Sequence, residues 1–241
     1  MKKFLLLSVI TFLFVSCSKN DETIVLKQSE VSLYSGDEFQ IEATSNSGLT
    51  YRSENEYHAS VSETGLVTAL FVGETNIVVS NGNDSKNFRV TVQPKSTLYP
   101  EPCMNWETSR SEVIAYSGTP DTNSANGLTY KGYGNADALM YLFDESDKLK
   151  SVGVLVKSNL SSEMSTYLGE RYIPIDVSSE TYTILFVNGI SSGTITTVIG
   201  SRLLNPSYWM IVYLPYSQFA SNMSINASDQ LMKEATLLIS K

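Results

Sequence analysis

The texture of the chain changes sharply along its length. Met1-Lys2-Lys3 precedes an apolar run from Phe4 to Val15, broken by Ser8 and Thr11, which ends at Ser16-Cys17 before the polar stretch Ser18-Lys19-Asn20-Asp21-Glu22. From residue 23 to about 94 the pattern becomes alternating: Val31 and Leu33, then Phe39, Ile41 and Ala43, then Leu66 and Val67, then Ile77 to Val79, then Phe88, Val90 and Val92. A period of two buries one face of each strand. Between these runs lie Ser35-Gly36-Asp37, Asn46-Ser47-Gly48, Glu63-Thr64-Gly65 and Asn81-Gly82-Asn83-Asp84, all turn-forming clusters. Short strands at close spacing with no helical period predict an all-β sandwich over 23–94. The next segment, Gln93-Pro94-Lys95-Ser96-Thr97-Leu98-Tyr99-Pro100-Glu101-Pro102, holds three prolines and no period, and 95–102 reads as a short extended linker.

Residues 103–241 carry a different pattern. Ser109 sits three before Glu112, a capping-box spacing, and Gly118 supplies a stop, so a helix is expected over 109–117. Strand-like runs follow at 128–133, 138–143 and 151–157, the last two joined by the polar turn Asp144-Glu145-Ser146-Asp147-Lys148. Leu160, Met164, Tyr167 and Leu168 fall on one helical stripe behind Asn159 as N-cap, with Pro174 closing the region. Three more runs are expected at 182–187, 194–199 and 208–214, with Asn188-Gly189 and Ser192-Gly193 as turns. Residues 229–239 read as a helix, with a last strand as the alternative. The order suggests a duplicated unit, packed as an antiparallel sheet with helices on one face. The fold class expected is therefore two domains, an all-β sandwich followed by an α+β domain.

Charge and composition narrow the function classes. The 241-residue chain carries a formal charge of −8, and loss of residues 1–16 removes Lys2 and Lys3 but no acid, taking it to −10. With no basic cluster, nucleic acid is not an expected partner. The positive start, short apolar core and small residue before the break form a secretory signal pattern. A transmembrane helix is the weaker reading, since a span needs ~20 apolar residues. With Cys17 in the leader boundary, Cys103 has no partner for an internal disulfide and is expected to be a small buried hydrophobe.

Candidate chemistry is sparse. The single histidine, His58, has no second His or Cys nearby, and residues 98–241 contain no His, so a histidine triad or thiol–imidazole pair cannot be built there. No zinc-ligand spacing, dinucleotide fingerprint or phosphate loop occurs, and neither a metal nor a cofactor is expected. Paired carboxylates remain open to a hydrolase, but Asp144, Glu145 and Asp147 sit in a turn, and Glu163 and Glu170 on the polar side or end of a helix. Aromatic residues are the stronger signal, with 14 Tyr, 9 Phe and 2 Trp. Trp106, Tyr130 and Tyr133 are the candidate ligand-binding residues, because flat amphipathic rings suit sugar or peptide recognition. A core role competes with this, and "SYWMIVYLPY" is apolar on both faces, as in a buried central strand.

Four resemblances extend these readings. Val15-Ser16-Cys17 resembles a bacterial lipobox, although Phe14 stands where an aliphatic residue is usual. This implies cleavage before Cys17, acylation of its thiol, and anchoring to the outer membrane. The polar residues 18–22 resemble the short export tag of surface lipoproteins in gut-dwelling Gram-negative anaerobes, which implies surface display, with a periplasm-facing body as the alternative. Val31 to Ala43, and Leu49 to Val79 with its Gly65-Leu66-Val67-Thr68-Ala69 and Gly73-Glu74-Thr75-Asn76-Ile77 elements, resemble the bacterial Ig-like domain, group 2, with Tyr51 where that family has Trp. That family implies a sandwich serving as a spacer or within adhesins, without catalysis. The stretches around Cys103, Leu139 and Tyr167 resemble C-terminal domains of lipoproteins from the same anaerobes, to which no activity attaches. The expectation is an anchored, non-catalytic module that binds a glycan, a peptide or a partner protein. A carboxylate-dependent hydrolase and a structural component of a surface assembly are the alternatives.

Overall fold

The computed structural model describes residues 23–178, 183–217 and Thr236. The first body contains β1 (Val25–Leu26), β2 (Glu30–Tyr34), β3 (Glu38–Gln40), β4 (Ala43–Thr44), β5 (Thr50–Ser53), β6 (Ala59–Val61), β7 (Leu66–Ala69), β8 (Gly73–Ser80) and β9 (Ser85–Gln93). One sheet has the order β2-β9-β8-β5, with β2 parallel to β9, and a second has the order β3-β7-β6. In β8 the alternation is clean, with Thr75, Ile77 and Val79 buried and their neighbours facing out. Ile77 and Val79 join Ile41, Ala59, Val67, Phe88, Val90 and Val92 in one core, with Phe39 stacked on Phe88 at 5.8 Å between ring centres. The expected run Phe39-Ile41-Ala43 is divided. β3 pairs with β7, whereas β4 pairs with β1, because the chain changes sheets at Ile41, whose N–H donates to Gly65.

The second body contains α1 (Arg110–Ser117), β10 (Thr122–Ser124), β11 (Gly127–Tyr133), β12 (Ala136–Phe143), β13 (Leu149–Lys157), α2 (Ser161–Gly169), β14 (Ile173–Ser178), β15 (Thr183–Val187), β16 (Thr197–Asn205) and β17 (Tyr208–Pro215). The eight strands form one sheet in the order β10-β11-β12-β13-β17-β16-β15-β14, every pair antiparallel. Each half is a helix followed by a four-stranded meander, and the last strands of the halves, β13 and β17, meet at the centre. This is the spatial order a repeated unit produces, with one strand per half more than the pattern of apolar residues announces.

Three local expectations shift. α2 is preceded by a 3-10 turn over Ser158–Leu160, so Leu160 and not Asn159 stands at its N-cap. Pro174 does not end the region but lies inside β14, which is an edge strand with a register shift at that point, where a missing N–H leaves no partner unsatisfied. β16 starts three residues later than expected. Asn188 Oδ1 accepts from the N–H groups of Thr196 and Thr197, and Thr194 Oγ1 donates to Ser191, so residues 188–196 form one loop. β17 is buried on both faces, as its pattern implies.

The core of the second body lies between one sheet face and the two helices. Val113 of α1 and Met164, Tyr167 and Leu168 of α2 pack on Leu139, Tyr141, Val152, Val154, Ile211 and Tyr213. The segment 95–102 lacks regular secondary structure, and its Leu98 and Tyr99 belong to this same core, at 0% and 2% exposure. No helix among the described residues is long and apolar enough to cross a membrane. The tail helix expected over 229–239 lies outside the described residues apart from Thr236, which is helical and exposed.

Candidate functional site

A concave feature lies where the two bodies meet, a cleft of about 720 Å³. Its first wall is the loop after β5. Asn55 N–H donates to Thr75 Oγ1, Tyr57 N–H donates to Asn55 Oδ1, and Ser53 Oγ donates to the Ala59 carbonyl, so the short polar side chains fold the loop onto itself. Tyr57 then stacks on Phe71 at 4.8 Å, with His58 edge-on at 5.4 Å. His58 Nδ1 stands 3.2 Å from the Phe71 carbonyl, and its ring fills the space beside Gly73. A Cβ on Gly73 would approach that ring to 2.2 Å, and the backbone there has φ +142°, so glycine is required twice over. His58 is therefore a wedge in the loop, half-buried.

The second wall grows from the end of α2. Glu170 and Arg171 form an ion pair at 2.6 Å with side chains only 6% and 10% exposed. The Glu170 carboxylate also accepts from the N–H groups of Lys95 (2.7 Å) and Ser96 (3.0 Å). Arg171 stacks on the Tyr167 ring at 3.9 Å and donates to the carbonyls of Tyr167 and Ser96. The backbone of the same two residues reaches the first body, since Val72 N–H donates to the Glu170 carbonyl at 2.8 Å and the Tyr57 hydroxyl donates to the Arg171 carbonyl. One dipeptide thus fastens the connecting segment and both walls. Glu170, expected on the polar side or end of its helix, does stand at the end, but buried.

Around this seam the cleft presents Glu54, Glu56 and Glu101 together with Met104, Tyr172 and Ile190. Ile190 is half-exposed, and Tyr172 is buried with its hydroxyl donating to Glu101 Oε1 at 2.7 Å. Burial pushes the Tyr57 hydroxyl well above the ordinary phenol range, and the Glu101 charge adds to this. Tyr172 is raised likewise, by burial first and then by Glu101. Both phenols stay protonated donors at neutral pH. Carboxylate and amide acceptors beside apolar patches suit recognition of a ligand rich in hydroxyl or amine groups. Among the described residues no group of three or more His, Cys, Asp or Glu is placed to hold a metal ion.

The residues singled out from sequence lie elsewhere. Trp106 packs partly buried against the second core and donates from Nε1 to Thr197 Oγ1 at 3.2 Å. Tyr130 is 6% exposed, edge-on to Tyr141 at 5.9 Å, and donates its hydroxyl to the Gly118 carbonyl. Tyr133 is partly buried against the same core, with its hydroxyl pushed up to about 12 by burial and by Tyr116, Tyr130 and Cys103 nearby. None of the three lines the interbody cleft. Cys17 lies outside the described residues, and Cys103 is free and buried, its N–H donating to the Tyr141 hydroxyl. The acids of the 144–148 turn have local work. Asp144 accepts from Ser146 and Lys148 N–H groups, and Asp147 pairs with Arg110 at 2.9 Å.

Comparison with known proteins identifies the first body. Residues 14–96 match the family model of the bacterial Ig-like domain (group 2), as the motifs between Val31 and Val79 indicate. No curated protein sequence matches the chain. Among solved structures, the surface layer protein SbsC, domains 1–6, aligns at 15% identity over 80% of this chain and 21% of that one, with a TM-score of 0.28. Domains 5–6 of the S-layer protein SbsC align at 14% identity over 80% of this chain and 96% of that one, with a TM-score of 0.27. The chain thus spans about a fifth of the length of the first of these.

Proposed function

We propose that the chain is a cell-envelope lipoprotein that works by contact and not by bond-making, with the interbody cleft as its binding place. The N-terminal pattern supports the anchor. Acyl chains on Cys17, at ~0.8 kcal/mol per buried CH₂, hold a polar body at a membrane when two or more are present. The short tether 18–22 then sets the Ig-like body next to the outer membrane, on the surface side. The observation that carries the binding reading is the seam at Glu170-Arg171, which fixes two unlike walls around one cleft. A spacer with no role in recognition needs no buried ion pair, at several kcal/mol of desolvation, to set its angle to the next domain. The Ig-like body is on this reading a fixed shoulder of the site, and the ligand class is a glycan or a peptide that carries amine groups to the cleft's carboxylates.

The binding reading is tested on the mature chain without its anchor, residues 18–241, by glycan and peptide arrays followed by titration calorimetry. Glu56→Lys and Ile190→Asp, both at exposed positions, are expected to weaken the strongest interaction at least tenfold without changing the melting temperature. Binding that survives both changes, or the absence of any ligand on either array, defeats the cleft as a binding place. The anchor is tested separately: Cys17→Ser is expected to move the protein from the membrane fraction to the soluble fraction.

A further inference from the structure

The two edges of the eight-stranded sheet, β10 and β14, each have a neighbour on one side only among the described residues, and they are built differently. β10 is three residues long, polar and exposed, and Arg110 holds it by donating to Asn123 and to the Ser124 carbonyl. Short polar edges of this kind discourage further pairing. β14 is six residues long, Ile-Pro-Ile-Asp-Val-Ser, and shows apolar side chains to solvent, with Ile175 51% and Val177 68% exposed. Ile190, 52% exposed, lies in the loop just past Val187, the partner of Ile173, so exposed apolar residues gather at this end of the sheet.

In an antiparallel pair every second residue turns its N–H and carbonyl away from the partner. Val177 is such a residue, since its N–H donates to Asp176 Oδ1 at 2.8 Å. The Asp176 carboxylate thus does for this N–H what the carbonyl of a further strand would do. Pro174 and the register shift beside it confine regular pairing to the later half of β14, the half that carries Val177. The strand follows directly on Arg171 and Tyr172, both of which line the cleft. We propose that the outer edge of β14 receives an extended, basic segment of a partner protein as an added strand, and that the same segment continues into the cleft. This rests on the cleft reading and makes the cleft's ligand a peptide. Charge selects the occupant. Asp176 on the strand and Glu54, Glu56 and Glu101 in the cleft call for Lys or Arg, with apolar side chains between them to cover Ile175 and Val177. A second copy of this chain fits poorly. Two-fold pairing of β14 with itself in the centred register sets each Asp176 within one residue of its twin, on chains of net charge −8.

The test titrates residues 18–241 with synthetic peptides of about ten residues that alternate Val or Thr with Lys, matching the side-chain period of a strand. Methylating the backbone nitrogens of one alternate set of residues is expected to weaken binding about tenfold or more, while methylating the intervening set is not, because an added strand bonds through every second amide. Equal sensitivity of the two sets overturns the proposal. On the protein, Val177→Pro removes the outward N–H and spares the pairing with β15. It is expected to cause the same loss with the melting temperature within about 2 °C. Binding that survives Val177→Pro but is lost with Glu56→Lys and Ile190→Asp overturns the edge and leaves the cleft standing. Loss with Val177→Pro alone supports the edge and defeats the cleft. Peptides that do not bind at all, or a dimer in light scattering that Val177→Pro dissolves, overturn the basic segment as occupant.

Discussion

Glu170 and Tyr167 lie within one turn of each other at the end of α2, yet their polar atoms have opposite standing. The Glu170 carboxylate is buried with three donors on it, two backbone N–H groups and Arg171. The Tyr167 hydroxyl is buried with no hydrogen-bond partner among the described residues, its ring held between Tyr99 at 4.2 Å and the Arg171 guanidinium. Removing a partner from a buried pair strands the remaining charge, so Glu170→Ala is expected to cost about 3–5 kcal/mol. Removing an unpartnered hydroxyl leaves the ring contacts in place, so Tyr167→Phe is expected to be neutral or stabilising by up to about 1 kcal/mol. Urea unfolding of both variants checks the pair of signs. A Glu170→Ala loss under about 1 kcal/mol would mean that the seam contributes little to holding the walls together.

At the scale of elements, the helix start at Ser109 shows what local sequence can specify. The Ser109 N–H and hydroxyl both donate to Glu112 Oε2, at 2.8 and 2.6 Å, and these bonds hold the Glu112 carboxyl below its ordinary range. Ser109→Ala is expected to lower the melting temperature modestly, because it removes one of the two donors on Glu112. A lowered carboxyl favours the fold while ionised, so the cap's contribution is complete above the usual Glu range and is lost as the pH falls through the lowered value. Thermal melts at neutral pH and at pH ~3 should show the Ser109→Ala deficit shrinking in acid. α1, the alternation in β8 and the two-faced β17 were legible because each is fixed by spacing within a few residues. β10 was not. Its three residues are all exposed, and it is held from afar by Arg110, which donates to Asn123 and Ser124. The division of β3 from β4 and the late start of β16 likewise depend on partners distant in sequence. The candidate site fared the same way. The aromatic residues were correctly read as abundant, but Trp106, Tyr130 and Tyr133 serve the core of one body. The cleft depends on Tyr57 and Arg171, which are 114 positions apart and carry no joint pattern.

At the scale of the whole molecule, the tyrosines tie the two bodies to one alkaline transition. Tyr99 and Tyr213 bond hydroxyl to hydroxyl at 2.8 Å in the second core, Tyr172 lies edge-on to Tyr213 at 6.1 Å, and Tyr57 bridges from the other body. Burial raises all four well above the ordinary phenol value of 10.0, as it does Tyr141 and Tyr167. A phenol whose folded value is raised binds more protons in the folded state than in the unfolded state once the pH exceeds ~10. Stability is therefore fully present below pH ~10 and falls as the pH rises above it. Several such groups act together, so the slope is steep and the fold should fail before the buried hydroxyls can ionise in place. The expected outcome is a single cooperative step above pH ~10 in which tyrosinate absorbance and loss of circular dichroism coincide. Because Tyr57 sits on the seam, the same step should separate the bodies, with the Ig-like and α+β signals disappearing together. Tyrosinate absorbance that climbs gradually while the dichroism holds would show that these phenols reach solvent in the native state. Two distinct steps would show that the seam does not couple the bodies, and that the cleft between them can open without unfolding either one.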